Sequence, residues 1–269
     1  MNRIVLINTF YPRNPQMEKY SGFHPPLGLL AISGTLQKAG YDIVLIDPRL
    51  EDNYLEKIDH NLDADTLFVG LSAYMGSNLL NLREVCQHIK KVAPQTPIVL
   101  GGPLATSSPE ICFANAPVDY IVLGMGEATI VKLAEKLKNK EDAAALPYVV
   151  DSANKNMSEK TIFHFEGDLD EVEVPDLRHW AAGIKRTGII PIISSRGCPR
   201  NCAFCYNNTF SGRRKWYARS SEHVLREMDH WANIFGINKF YFVDDNFLVN
   251  SSRAGRILYA AKARNYTIT

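Results

Sequence analysis

Long apolar runs are missing from this sequence of 269 residues: none approaches the ~18 that a membrane-spanning helix requires, so no transmembrane segment is expected. The opening run Met1-Asn2-Arg3-Ile4-Val5-Leu6-Ile7-Asn8 is too short for a targeting segment and leads into a Tyr11-Pro12 turn, which reads as a cytoplasmic protein. A charge bias is missing as well. Lys and Arg number 30 against 29 Asp and Glu, and the resulting +1 argues against a dedicated nucleic-acid footprint, though not against a local basic patch. Cysteine is scarce at five, and three of these fall within eight positions, where they cannot all pair as disulfides. With no secretory signal, that fits a reducing compartment better than a disulfide framework. Also absent is a Gly-rich turn after the first apolar run: Asn8-Thr9-Phe10-Tyr11-Pro12 stands where a nicotinamide site needs one.

What is present is the balance of a globular chain, 46% hydrophobic and 22% charged, long enough for one large or two moderate domains. Strands are predicted at Arg3 to Asn8, Tyr41 to Asp47, Thr66 to Ser72, Pro97 to Gly101 and Asp119 to Gly124. Helices are predicted near Leu27 to Lys38, Asn78 to Val92, Pro109 to Ala114 and Glu127 to Lys138. This alternation implies an α/β fold, a parallel sheet covered on both faces with ligands at the carboxyl ends of its strands. In the helix near residue 80, Leu82, Val85, Ile89 and Val92 recur at helical spacing, so one face is core and Cys86 lies in or beside it. Cys112 reads the same way, as a small buried hydrophobe. Gly124-Met125-Gly126-Glu127 lacks the third glycine of a dinucleotide fingerprint. It reads as a tight strand-to-helix turn whose amides are able to cradle part of a ligand.

The stretch Ser194-Ser195-Arg196-Gly197-Cys198-Pro199-Arg200-Asn201-Cys202-Ala203-Phe204-Cys205 organises the rest. Cys198, Cys202 and Cys205 are spaced C-x3-C-x2-C directly after Ile189-Ile190-Pro191-Ile192-Ile193, which reads as a buried strand. Structural zinc wants four closed ligands, usually from two C-x2-C knuckles, and no second knuckle or His-x3-His partner lies nearby. A four-iron cluster accepts three thiolates on a tight loop and leaves one iron open to an exogenous molecule. Zinc and inert thiols are the competing readings.

With Phe204 just before the last cysteine, the motif resembles the radical SAM superfamily. The resemblance implies that Cys198, Cys202 and Cys205 hold a [4Fe-4S] cluster and that S-adenosylmethionine chelates its open iron. It also implies that the backbone around Phe204 meets the adenine and that electron transfer releases a 5′-deoxyadenosyl radical. The first 150 residues resemble a cobalamin-binding domain of the flavodoxin-like, Rossmann-like sort. Ser72 ends the third strand and Gly101-Gly102-Pro103 follows the fourth, leaving room for a bulky ligand at the backbone. On that resemblance cobalamin meets Ser72, Gly101 and Gly102, with Gly124, Gly126 and Glu127 as further cofactor contacts. The Asp-x-His-x-x-Gly motif of many such domains is absent. His24 in Gly22-Phe23-His24-Pro25-Pro26-Leu27-Gly28 reads as a loop residue beside a Pro-initiated helix, or alternatively as an axial ligand. The Pro-Pro-Leu-Gly stretch is similar to cobalamin-dependent radical SAM proteins, which typically lack that histidine.

Residues 151–186, turn-rich and acidic from Glu166 to Asp176, read as a solvated linker with a short strand at Thr161 to Phe165 and no chemistry for His164. Beyond the cysteines, Ser220 or Ser221 caps a helix over Val224, Leu225, Met228, Trp231 and Phe235 that stops at Gly236. Lys239 to Val243 reads as the next strand, ending in Asp244-Asp245-Asn246-Phe247. The resemblance gives Asp244 and Asp245 contacts with the methionine amino group; capping the next helix is the alternative. The basic, aromatic Arg213 to Arg219 is an RNA-stacking loop or, more simply, a surface or domain contact, with no RNA-binding module in view.

Residues 187–269 thus resemble the first units of a partial (β/α)6 barrel, with Tyr266 to Thr269 a strand just beginning. The expectation is a fragment, a truncated gene product or one subunit of a split enzyme with a C-terminal partner chain. The resemblance implies hydrogen abstraction and then methyl transfer to carbon, with ring-forming or oxidative chemistry in some relatives. It further implies a small-molecule or natural-product substrate and a reductant protein such as flavodoxin or ferredoxin. Non-catalytic binding of cobalamin or cluster, and radical chemistry without cobalamin, are the rival expectations.

Overall fold

The computed structural model describes residues 2–10, 23, 25–74, 78–152, 165, 167–207 and 215–269. The Tyr11-Pro12 turn, His24, all but Phe165 of the strand expected over Thr161 to Phe165, His164 included, and Arg213 and Arg214 lie outside the described residues. The first half runs β1 (Arg3–Asn8), α1 (Leu27–Lys38), β2 (Asp42–Ile46), α2 (Tyr54–Asn61), β3 (Thr66–Ser72) and α3 (Leu79–Val92). It continues through β4 (Ile98–Gly101), α4 (Pro103–Ser107), α5 (Pro109–Asn115), β5 (Tyr120–Val122), α6 (Glu127–Lys138) and β6 (Val149–Asp151). The sheet order is β2-β1-β3-β4-β5-β6, the flavodoxin-like arrangement with its switch point between β1 and β3. All pairs are parallel except β5–β6, so the expected parallel sheet carries one antiparallel edge strand.

Alternation along β1 sorts the packing. Ile4 and Leu6 join Leu29 and Leu30 of α1 and Leu133 of α6, whereas Val5 and Ile7 join Ile58 of α2 and Leu82, Val85 and Ile89 of α3. Each fully buried Leu or Ile side chain stabilises the fold by about 1.5–3 kcal/mol. Helix α2 escaped the periodicity reading because Ile58 is its one buried residue, too few to mark a stripe.

The second half follows α7 (Ala181–Thr187) with β7 (Ile190–Ile192), β8 (Ser195–Gly197), β9 (Trp216–Ala218), α8 (Ser221–Phe235), β10 (Lys239–Phe242), α9 (Ser251–Ala263) and β11 (Thr267–Ile268). Strands β7, β10 and β11 form a parallel sheet in the order β11-β10-β7, while β8 and β9 make an antiparallel ribbon that carries the cysteine loop. As expected, Ser220 caps α8 by accepting from the His223 amide, and Gly236 ends it in the left-handed region at φ +67°.

From Leu169 onward, the stretch read as a solvated linker is packed. Leu169, Leu177, Trp180 and Ile184 are buried, and the core of β1 runs through Trp180 and Ile184 into Ile190, Ile192, Met228 and Phe240. Two of its acids, Asp170 and Asp176, are hydrogen-bond acceptors rather than solvated charges. Asp176 accepts from the Arg178 amide and guanidinium, and Asp170 accepts from the Ser220 amide and pairs with His223. Trp180 donates its indole N–H to Asp47 Oδ2 at 2.9 Å, and Arg49 grips the same carboxylate through Nε at 2.9 Å and Nη2 at 2.6 Å. Phe23 stacks on Trp180 at 5.3 Å and takes the Arg49 and Arg186 guanidiniums on its ring. Trp180→Phe removes the indole donor and also one ring of a fully buried bicycle, and is expected to lower unfolding free energy by about 2–4 kcal/mol in urea titrations. An unchanged midpoint and slope would show that this bond contributes nothing.

Candidate functional site

Parallel strands deliver their following loops to one edge, and in this chain two such edges face each other across a cavity of about 420 Å³. On one side lie Ser72 and Tyr74 after β3, Gly101 and Gly102 after β4, and Gly124, Gly126 and Glu127 after β5. On the other lie Ser195, Arg196, Gly197, Tyr206, Asp244 and Asp245, while Leu6, Leu27, Ile32, Phe68 and Val99 make much of the remaining wall apolar. The predicted cofactor residues of both halves are therefore gathered, with the exception of Phe204, which is 94% exposed and lies off the cavity wall.

Gly102 has φ +97° and ψ 176°, and a Cβ there would stand 2.7 Å from the Ala73 carbonyl oxygen and 2.9 Å from Ser72 Oγ. Glycine keeps the slot between β3 and β4 open. Gly124 does not offer its amide to a ligand, because that N–H donates to Thr106 Oγ1 at 2.9 Å. Glu127, at the start of α6, pairs with Arg196 Nη2 at 2.5 Å. Burial opposes ionisation of this carboxyl, but the Arg196 guanidinium more than reverses that and holds it below the ordinary 4.5.

Asp244 and Asp245 grip the strand that leads into the cysteines. Asp244 accepts from Ser194 Oγ at 2.9 Å, from Ser195 Oγ at 2.8 Å and from the Ser195 amide. Burial pushes its carboxyl above the usual range, against those donors. Asp245 accepts from the Gly197 amide at 2.9 Å and from the Tyr206 hydroxyl at 2.7 Å. Burial, then the Asp245 charge, pushes the Tyr206 phenol upward, so it stays protonated and donates. Tyr74 meets Tyr206 edge to face at 6.2 Å. Neither aspartate caps the following helix α9, whose cap is Asn250.

Cys198 and Cys205 are half-buried, Cys202 is exposed, and none of the three is in a disulfide. The Cys205 amide donates to the Cys202 carbonyl at 3.0 Å, and Asn246 Nδ2 donates to Cys198 Sγ at 3.7 Å. Among the described residues no three His, Cys, Asp or Glu side chains are gathered as a metal site, so the three sulfurs share a loop without converging. The donor set nevertheless fits a thiolate-held cluster: three thiols outside any disulfide and reachable from solvent, on the loop that follows a cavity-lining strand, one with an amide aimed at its sulfur. Cys86 and Cys112 contrast with them, fully buried and with thiols pushed up to about 12 by burial, as small core residues should be. The cavity, with its glycine slot and apolar wall, suits a bulky ligand, and no histidine is among the described residues that line it. Sequence reasoning missed Arg196, Tyr206, Tyr74 and the two serines. Nothing local marks them, since each finds its partner on a distant element.

Residues 15–134 match the B12 binding domain and residues 192–269 match the radical SAM superfamily. An uncharacterized methyltransferase of Pyrococcus horikoshii is 28% identical over 240 residues, which cover 86% of this chain and 50% of that protein. The anaerobic magnesium-protoporphyrin IX monomethyl ester cyclase of Synechocystis is 28% identical over 281 residues, covering 99% of this chain and 54% of the cyclase. The radical S-adenosylmethionine methyltransferase TsrM of Kitasatospora setae, solved with tryptophan and a SAM analogue, superposes with a TM-score of 0.75 at 18% identity. That likeness covers 98% of this chain and 52% of TsrM, and it shows the shared fold. The chain spans about half the length of these relatives.

Gly102→Ala is expected to cost about 1–3 kcal/mol of stability through backbone strain alone. Gly101→Ala, whose Cβ would meet nothing nearer than 3.8 Å, should be close to neutral. Equal denaturation midpoints for the two would refute the slot geometry. For Glu127 the depressed pKa means that its stabilisation is complete above the ordinary glutamate range and is lost as pH falls through the lowered value. Glu127→Gln should therefore flatten the acid limb of the stability profile below about pH 4.5 while also lowering stability at neutral pH.

Proposed function

We propose, from the premise that this chain belongs to the radical SAM proteins that carry a B12 binding domain, that it holds a [4Fe-4S] cluster, S-adenosylmethionine and cobalamin for methyl transfer to an unactivated carbon. The observation that carries this is the single cavity onto which both carboxyl edges open. Residues 1–150 serve cobalamin, residues 187–269 serve the cluster, and residues 151–186 connect them. Bound together, the cluster supplies the electron that cleaves the sulfonium and cobalamin supplies a methyl carrier.

The chain's own residues do the positioning. Cys198, Cys202 and Cys205 are the thiolate ligands, and the Asn246 amide beside Cys198 Sγ stabilises the thiolate form. Asp244 and Asp245 fix Ser195 and Gly197, and thereby the path of the backbone into Cys198. Their lone pairs toward the cavity are the acceptors for a methionine ammonium. Ser72, Gly101 and Gly102 form the slot for cobalamin, and the apolar wall excludes water from it. Ring-forming chemistry is the second reading, favoured by the Synechocystis cyclase among the relatives. A small-molecule substrate, a reductant such as flavodoxin or ferredoxin and a cytoplasmic setting accompany either reading.

Anaerobic reconstitution with iron and sulfide is expected to give iron–sulfur absorption and a reducible cluster signal in electron paramagnetic resonance. Cys198→Ala, Cys202→Ala and Cys205→Ala should each abolish it, while Cys86→Ala and Cys112→Ala retain it. Uptake of one tetrahedral zinc ion in place of iron would overturn the reading, and failure to retain added hydroxocobalamin on gel filtration would overturn its cobalamin half.

A further inference from the structure

Strand β8 is gripped from two directions. The Ser195 and Gly197 amides donate to Asp244 and Asp245 of the second sheet, while Arg196, between them, sends its side chain to Glu127 of the first. Alternation along a strand makes this division possible, since neighbouring side chains leave opposite faces. Cys198 follows two residues later. The ion pair is largely withdrawn from water, with side-chain exposures of 17% for Arg196 and 12% for Glu127. Pairs so placed depend on separation more steeply than surface pairs, and losing one partner strands the other charge. Glu127 itself continues directly from Gly126, and Arg196 directly precedes Gly197; all four line the cavity.

We propose that Glu127 is a positioning residue: by holding Arg196 it sets the entry into the cysteine loop from the opposite domain, and it links occupancy of the first sheet energetically to occupancy of the loop. A ligand that shifts the turn at Gly124–Gly126 moves Glu127, Arg196 follows, and β8 moves against the two aspartates. By reciprocity, whatever orders the loop alters affinity at the first sheet by the same factor. The linkage rests on the proposed cobalamin and cluster sites; the positioning role stands on the ion pair alone.

The full-length chain separates the two. Amide hydrogen exchange of the cofactor-free protein is measured at Ser195 and Gly197, whose amides Glu127 does not touch. In Glu127→Gln they should exchange roughly tenfold faster, as expected for easier local opening. Distant core amides in β3 and β4, which register only the general loss of stability, should accelerate less. Arg196→Lys, which keeps both charges of the pair, should retain much of the protection, and the exchanged pair Glu127→Arg with Arg196→Glu should recover part of what Glu127→Gln loses. Unchanged exchange at the two amides, or acceleration spread evenly over the chain, overturns the positioning role.

Affinity for hydroxocobalamin is then compared with and without reconstituted iron–sulfur cluster. Wild type should show a ratio within roughly 5–150-fold, and Glu127→Gln a ratio near unity. A wild-type ratio of unity, or a ratio untouched by the substitution, overturns the linkage. Failure of wild type to take up either cofactor overturns the proposed function, while the exchange result still decides what Glu127 does.

Discussion

Parallel strands all finish on one edge, and both sheets of this chain turn that edge toward the same space. The remaining features of the site follow from this constraint. Loops after β3, β4 and β5 bring small residues to one wall, and loops after β7 and β10 bring acids and serines to the other. The core that begins on β1 runs unbroken through Trp180 and Ile184 into the second sheet, so the two edges are held at a set distance by packing rather than by a free linker.

Every charged group on the cavity wall is already engaged. Glu127 and Arg196 satisfy each other, Asp244 holds two serines, and Asp245 holds a backbone amide and a phenol. Glu127 and Asp244 are largely withdrawn from water, where unpaired charges would be costly, and tying both to residues of the strand that leads into the cysteines turns that cost into rigidity at the loop. The wall is otherwise apolar. A site of this kind reads a ligand by shape and by a few fixed polar contacts.

Local signals served well where periodicity or capping was strong. Helix α1 follows Pro25-Pro26 and runs from Leu27 to Lys38 as its pattern implied, and α8 starts at its serine cap and stops at its glycine. They served poorly where burial came from elsewhere. The segment from Glu166 to Asp176 looks solvated because its aspartates and glutamates together outnumber its apolar residues, yet Trp180 just beyond it is fixed by Asp47, a partner far away in the chain. The strand pair β8–β9 has three residues on each side, too few for an alternation to be read, and its two strands stand on either side of the cysteine loop in sequence.

The sequence by itself determined the strongly periodic strands and helices of the first half, the order in which they alternate, and the three thiols spaced along one loop. Those properties are written in neighbouring residues, through side-chain periodicity, caps and covalent spacing. Tertiary structure alone decided that Glu127 meets Arg196, that Asp244 and Asp245 hold the cysteine-loop strand rather than the next helix, and that both sheets share one cavity. Such pairings join residues far apart in the chain, and they exist only once packing has fixed the relative course of two backbones.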